Sequence, residues 1–132
     1  MNHGRHNGRK LERNRKGRRA LVKTLLGSLI MVERMQTTEA KAKEAKSRID
    51  RIINRAREAK NTNDPSKRVS ALRELRRILP IIAVKKLSED EFLQSLGDRK
   101  SGYARVVKLP PRRGDGARIA LVELIREGKQ GK

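Results

Sequence analysis

The chain contains no cysteine and no tryptophan, and Tyr103 and Phe92 are its only aromatic residues. Without cysteine there are no disulfides and no thiolate metal sites. Two aromatics cannot build the row of stacking platforms that readers of single-stranded nucleic acid use. Histidine is almost as scarce. His3 and His6 both fall in the first nineteen residues, which leaves no histidine in the body to act as a general base. A metal site on this pair would need two further ligands, and no third histidine or cysteine exists to supply them. No Gly-rich phosphate loop with its following Lys and hydroxyl is present. No apolar run approaches the roughly 20 residues that span a bilayer. Residues 1–19 hold neither the apolar stretch of a secretory signal nor the apolar face of a mitochondrial presequence. The expectation is a chain with no cofactor, no bound metal, no small-molecule substrate, no membrane partner and no enzymatic activity, and the lack of cysteine is compatible with a reducing cytosol.

Acidic residues are also in short supply. Fifteen Asp and Glu face 35 Lys and Arg, a formal net charge of +20. The excess is densest at the start. MNHGRHNGRKLERNRKGRR carries eight basic residues against Glu12 alone, and six of the eight are arginine. With Met1 and Leu11 as its only apolar side chains, this segment cannot bury enough surface to offset its ordering entropy. It reads as an arm, disordered when free, that becomes ordered against a dense source of negative charge, of which a nucleic acid backbone is the commonest. Arginine strengthens the point, since its guanidinium grips phosphate bidentately.

Past the arm the residues read as one domain over 20–127, with a flexible tail at 128–132. The core has to be aliphatic, drawn from 29 Ile, Leu and Val after residue 19. In residues 20–35 Leu21, Leu25, Leu29 and Val32 make one helical stripe, with Val22, Leu26 and Ile30 beside it. Asn14 is a candidate cap for that helix, and Gly27 could admit another backbone closely. Residues 34–38 (RMQTT) read as a brief strand. Thr38 then caps a long helix with Ala42, Ala45, Ile49, Ile52, Ile53 and Ala56 inward. Asp64-Pro65 opens another helix, with Val69, Leu72, Leu75 and Leu79 inward and Pro80 as its breaker. One or two further helices fill 81–96, interrupted near Ser88, a candidate cap followed by acids. Residues 103–109 and 118–126 are rich in β-branched side chains and flank PPRRGDG, which predicts an antiparallel hairpin with a long loop. The fold class is therefore α+β in two layers, several helices packed on a small three-stranded sheet.

The cations divide by neighbourhood. Lys43, Arg48 and Arg55 have acids at helical spacing and read as a solvated, salt-bridged face. The arm residues His3, Arg5, His6, Arg9, Lys10, Arg13, Arg15, Lys16, Arg18 and Arg19, and the loop residues Arg112 and Arg113, read as phosphate-contacting. Glu89, Asp90 and Glu91 fit a helix start better than a Mg²⁺ or acid–base site, and Asp115 is an ordinary turn residue.

The run RKLERNRKGRRALVKTLLGSL followed by RMQTTEAKAKEAK resembles the family numbered seventeen among proteins of the bacterial large ribosomal subunit. Lys10, Leu11, Arg13, Arg19, Ala20, Leu21, Thr37, Thr38, Ala42 and Lys43 carry the likeness. So do Asp98-Arg99 with Gly102-Tyr103 and Arg105, then Arg113-Gly114-Asp115 and Glu123-Leu124. The chain departs from the pattern at Gly17, at Ser101 and Ala104 around Gly102-Tyr103, and at Pro80. The resemblance implies a two-layer α+β fold without catalysis. It implies binding to folded large-subunit ribosomal RNA near the nascent-chain exit, beside other ribosomal proteins, with Arg99, Tyr103 and Arg105 added to the RNA-binding set. The alternatives are a non-ribosomal RNA- or DNA-binding module and a Mg²⁺-dependent RNA-processing enzyme.

Overall fold

Asn14 starts the first helix. Its side chain accepts the Gly17 N–H at 2.8 Å, and helix α1 runs Arg15–Val32. The computed structural model describes residues 11–127, so His3, Arg5, His6, Arg9 and Lys10 of the arm, and the tail from 128, lie outside the described residues. The apolar face of α1 is centred on Val22, Leu26, Leu29 and Ile30, with Leu25 also buried. Val32, expected inward, is 67% exposed. It follows Ile30 by two residues, about 200° around the helix, so both cannot face the core. Glu33 ends the helix in the left-handed region (φ 69°), its N–H donating to the Leu29 carbonyl.

Strand β1 (Arg34–Thr38) leads directly into α2 (Glu39–Asn61). Thr38 occupies the cap position but its side chain makes no capping bond, and the Glu39 N–H donates to the Arg118 carbonyl at 2.9 Å. Asp64 does cap α3 (Pro65–Ile78), accepting from the Ser66 N–H at 2.9 Å. Ala71, Leu75 and Leu79 are buried from this region, while Val69 is 46% exposed, displaced from Ala71 by the same 200°. Pro80 then separates α3 from α4 (Ile81–Leu87), and its ring lies on Gly27 of α1. A Cβ at Gly27 would sit 2.7 Å from Pro80 Cγ, so the glycine sets how closely this junction approaches α1. Ser88 was expected to cap a helix. It closes α4 instead, its hydroxyl donating back to the Val84 carbonyl at 3.0 Å, and α5 (Asp90–Ser95) follows.

Strands β2 (Ala104–Leu109) and β3 (Ile119–Leu124) form the expected hairpin, and β1 pairs antiparallel with the other edge of β3. The order β1-β3-β2 puts the last strand in the centre. Helix α2 packs across all three strands and against α3 and α1. Ile49, Ile53 and Ala56 thereby meet the core that includes Ala104, Ala120, Val122 and Leu124. The opposite face of the sheet carries the cross-strand row Arg34, Glu123 and Arg105.

Candidate nucleic-acid interface

The start of α1 concentrates positive charge, and no carboxylate among the described residues pairs with it. Helix α1 begins inside the segment expected to be a mobile arm, because Arg and Lys are good helix formers and Asn14 supplies the cap. Arg15, Arg19 and Lys23 recur at four-residue spacing as one exposed row, with Lys16 exposed beside it. Arg13 Nη1 donates to the Leu11 carbonyl at 3.0 Å, and Arg18 Nη1 to the Arg13 carbonyl at 3.2 Å. Among the described residues none of these six cations pairs with a carboxylate, and the first turn contains no acid. A helix N-terminus already carries about half a positive charge, so cations there repel it and an external anion is favoured.

Elsewhere the acids are in use. Lys43 pairs with Glu39 and Arg48 with Glu44, each at 2.7 Å, while Arg55 bridges Glu58 and Glu74 at 2.9 and 2.7 Å. Lys43, Arg48 and Arg55 thus form the expected salt-bridged face. Arg105 is likewise engaged, its Nε 2.5 Å from Glu123 Oε1. In the hairpin loop, Arg112 was expected to be free for phosphate. It grips Asp115 with two bonds, Nε to Oδ1 at 3.1 Å and Nη2 to Oδ2 at 2.5 Å. Arg112, with help from the Ala117 N–H, lowers the Asp115 carboxyl to about 2. The turn residue Asp115 therefore takes up one of the two loop cations, and Arg113 remains exposed without a carboxylate partner among the described residues.

Tyr103 is not at the surface. Its exposure is 0%, and its hydroxyl lies 2.7 Å from Asn54 Oδ1 and 2.5 Å from the Arg99 carbonyl. Burial pushes the hydroxyl pKa up. The chain has too few aromatics to leave this one outside: the ring fills the space between α2 and β2 as a core residue. Arg99 is half-buried, with Nη1 3.5 Å from the Gly102 carbonyl.

The acids at 89–91 start α5, and Asp90 is paired with Lys60. Among the described residues no three His, Asp or Glu side chains converge as a metal site, and no helix is long and apolar enough to cross a membrane.

The family model of ribosomal protein L17 matches residues 21–125. The chain belongs to the ribosomal protein L17 family. It is 46% identical over 118 residues to the large ribosomal subunit protein bL17 of Chloroherpeton thalassium, covering 89% of this chain and 64% of that one. To the bL17 of Chlorobium limicola it is 42% identical, covering 89% of this chain and 72% of that one. To the bL17 of Rubrobacter xylanophilus it is 40% identical, covering 89% and 91%. The chain thus spans just under two thirds of the length of the Chloroherpeton relative.

In this L17-family chain the best-organised polar site was not expected from sequence. Arg57 on α2 donates from Nη1 to the Arg99 carbonyl at 3.1 Å and from Nη2 to the carbonyls of Leu93 (2.9 Å) and Gly97. Its guanidinium lies 5.3 Å from the Tyr103 ring centroid, a cation–π contact. Asn54 donates to the Lys100 carbonyl at 2.9 Å, and Asp50 accepts the N–H groups of Gly102 and Tyr103, both at 3.0 Å. The available signal was their spacing, since 50, 54 and 57 follow the helical repeat beside the buried Ile49, Ile53 and Ala56.

Proposed function

We propose that this chain is a structural, non-catalytic protein of the large ribosomal subunit in the cytoplasm. On this reading it binds folded ribosomal RNA through phosphate contacts and stabilises the RNA's tertiary structure. Its protein neighbours are other large-subunit proteins near the nascent-chain exit. Membership of the L17 family supports the ribosomal assignment. The observation that carries RNA binding is the row Arg15, Arg19 and Lys23 on α1, beside Lys16 and Arg18, with no carboxylate partner among the described residues. Phosphates placed there would relieve repulsion among the cations and satisfy the helix terminus together. The arm residues His3, Arg5, His6, Arg9 and Lys10 extend the same charge, and Arg113 offers a further contact from the hairpin loop.

The test is the salt dependence of binding to a transcript of bacterial large-subunit ribosomal RNA. Each phosphate neutralised contributes about 0.7–0.9 to the slope of log affinity on log salt. Replacing Arg15, Arg19 and Lys23 by Gln should therefore flatten the slope by roughly 2–3 while leaving the body folded. An unchanged slope refutes this role. Retention on large subunits pelleted through high salt separates a ribosomal protein from a loosely bound nucleic-acid module, which washes off.

A further inference from the structure

The loop between α5 and β2 is held in an unusual way: its carbonyls are drawn inward. Arg57 takes those of Gly97 and Arg99, and Asn54 takes that of Lys100. Every described peptide bond is trans. In a planar trans peptide the C=O and the following N–H point in opposite directions. Pulling these three oxygens onto α2 therefore turns the N–H groups of Asp98, Lys100 and Ser101 away from α2. Asp98, Lys100 and Ser101 are exposed, and among the described residues none of the three amides has a hydrogen-bond acceptor. Glycine fixes both ends. Gly97 and Gly102 have φ of +76° and +70°, and a Cβ at Gly97 would come within 2.0 Å of the Glu127 carboxylate.

We infer that residues 99–101 form a phosphate receptor, built from the Lys100 and Ser101 amides, the Ser101 hydroxyl and the Lys100 ammonium, with Arg57 as its positioning residue. Successive outward amides make a concavity that suits a phosphate oxygen, and the ammonium adds a point charge. Two carboxylates stand beside this segment and would repel an anion: Asp50, which reaches from α2 to the Gly102 and Tyr103 N–H groups, on the side away from the outward amides, and Asp98. Asp98 and Glu127, however, line a shallow pocket toward α5 with Lys60 and Asp90, and neither Lys100 nor Ser101 lines it. The ligand class is the RNA phosphodiester, so the inference rests on the RNA-binding reading above while naming a site away from α1. Arg57 does not touch the phosphate. It acts by holding the Arg99 carbonyl, whose capture aims the Lys100 amide, while Asn54 holds the Lys100 carbonyl and so aims the Ser101 amide.

The experiment uses the full chain, ¹⁵N-labelled, and the same ribosomal transcript. On RNA binding, the Lys100 and Ser101 amide resonances should shift. Ser101→Ala should weaken binding about three- to tenfold at unchanged salt slope, since a hydroxyl releases no counterion. Lys100→Ala should weaken it and reduce the slope by about 0.7–0.9. Arg57→Lys keeps the charge but loses the planar fork, so it should weaken binding without changing the slope. If wild type binds while Lys100→Ala and Ser101→Ala match it in affinity and slope, the receptor is overturned and the α1 reading survives. If wild type fails to bind, both fall. Should Arg57→Lys not fold, the two surface variants and the amide shifts decide.

Discussion

Replacing Tyr103 by Phe separates a core role from an RNA-stacking role with one atom. The ring and its Arg57 contact stay, and so do the Asp50 bonds to the backbone of Gly102 and Tyr103. The Arg99 carbonyl also keeps a partner, because Arg57 Nη1 lies 3.1 Å away. The atom orphaned by losing the hydroxyl is Asn54 Oδ1, beside a residue with 0% exposure. Asn54 is only partly buried, so leaving its acceptor without a donor should cost near the low end of the roughly 1–3 kcal/mol of a fully buried one, about 1 kcal/mol. With a urea m-value of about 1–2 kcal/mol/M for a chain of this size, the unfolding midpoint should fall by up to roughly 1 M at unchanged m. The pH dependence carries the same sign. Burial raises the hydroxyl pKa in the folded state, so the stabilisation is fully present below the unfolded value near 10 and is lost as pH rises through the folded value. The variant should lose that alkaline component. The salt slope of RNA binding should not move. A midpoint unchanged in Tyr103→Phe would refute the placement of this hydroxyl in the core network.

Gly27→Ala should gain up to about 1 kcal/mol of helix propensity but lose more to overpacking, for a net cost of about 1–2 kcal/mol. The new Cβ would meet Pro80 Cγ at 2.7 Å and Cδ at 2.9 Å, and adding Pro80→Ala should recover much of the loss in urea denaturation. Asp115 should titrate near 2 by NMR of its carboxyl carbon, and Arg112→Gln should return it toward 3.8. Because the folded pKa is the lower one, what this ion pair contributes is present above the unfolded value and is lost as pH falls through about 2.

How much of this was legible depended on whether the determinant was local. Asp64-Pro65 and Asn14 opened their helices as read, because a cap and the turn that it satisfies lie within three residues. The hairpin was legible from two β-branched runs around a turn-rich loop. Which flank of α1 or α3 faces inward was not, since that depends on where α2 and α4 lie; hence Val32 and Val69 ended outside. Thr38 and Ser88 show the limit on caps: each is a plausible cap in sequence, but the Thr38 side chain makes no capping bond and the Ser88 hydroxyl donates to the Val84 carbonyl. At the interface, the surplus of charge was visible and its partition was not. Arg112 lost its freedom to Asp115 three residues on, a pairing at a distance that sequence does show. The burial of Tyr103 was not legible because its partners Asn54 and Arg57 lie more than forty residues away in the chain.

The partition of charge gives salt two opposite effects. The carboxylates sit where elements join. Glu33 holds Arg126 and Lys86 at the turn after α1, Glu123 ties Arg105 and Arg34 across the sheet, and Glu39 ties Lys43 and Lys108 where α2 meets β2. Most of these pairs are partly exposed, and such pairs are worth little individually, about 0–1 kcal/mol. Against them stands the self-repulsion of a chain at +20, concentrated along α1 where no carboxylate among the described residues answers it. Screening weakens both, but like charges predominate, so raising monovalent salt from 0.05 to about 0.5 M, where the Debye length falls from roughly 14 to 4 Å, should stabilise the free protein. The same change should weaken RNA binding by orders of magnitude, because counterion release is what drives it. Urea midpoints and transcript affinities measured across one salt series therefore have to move in opposite directions. A midpoint that falls with salt would mean that the junction ion pairs outweigh the repulsion along α1, and the case for an external anion at that helix end would lose its physical basis.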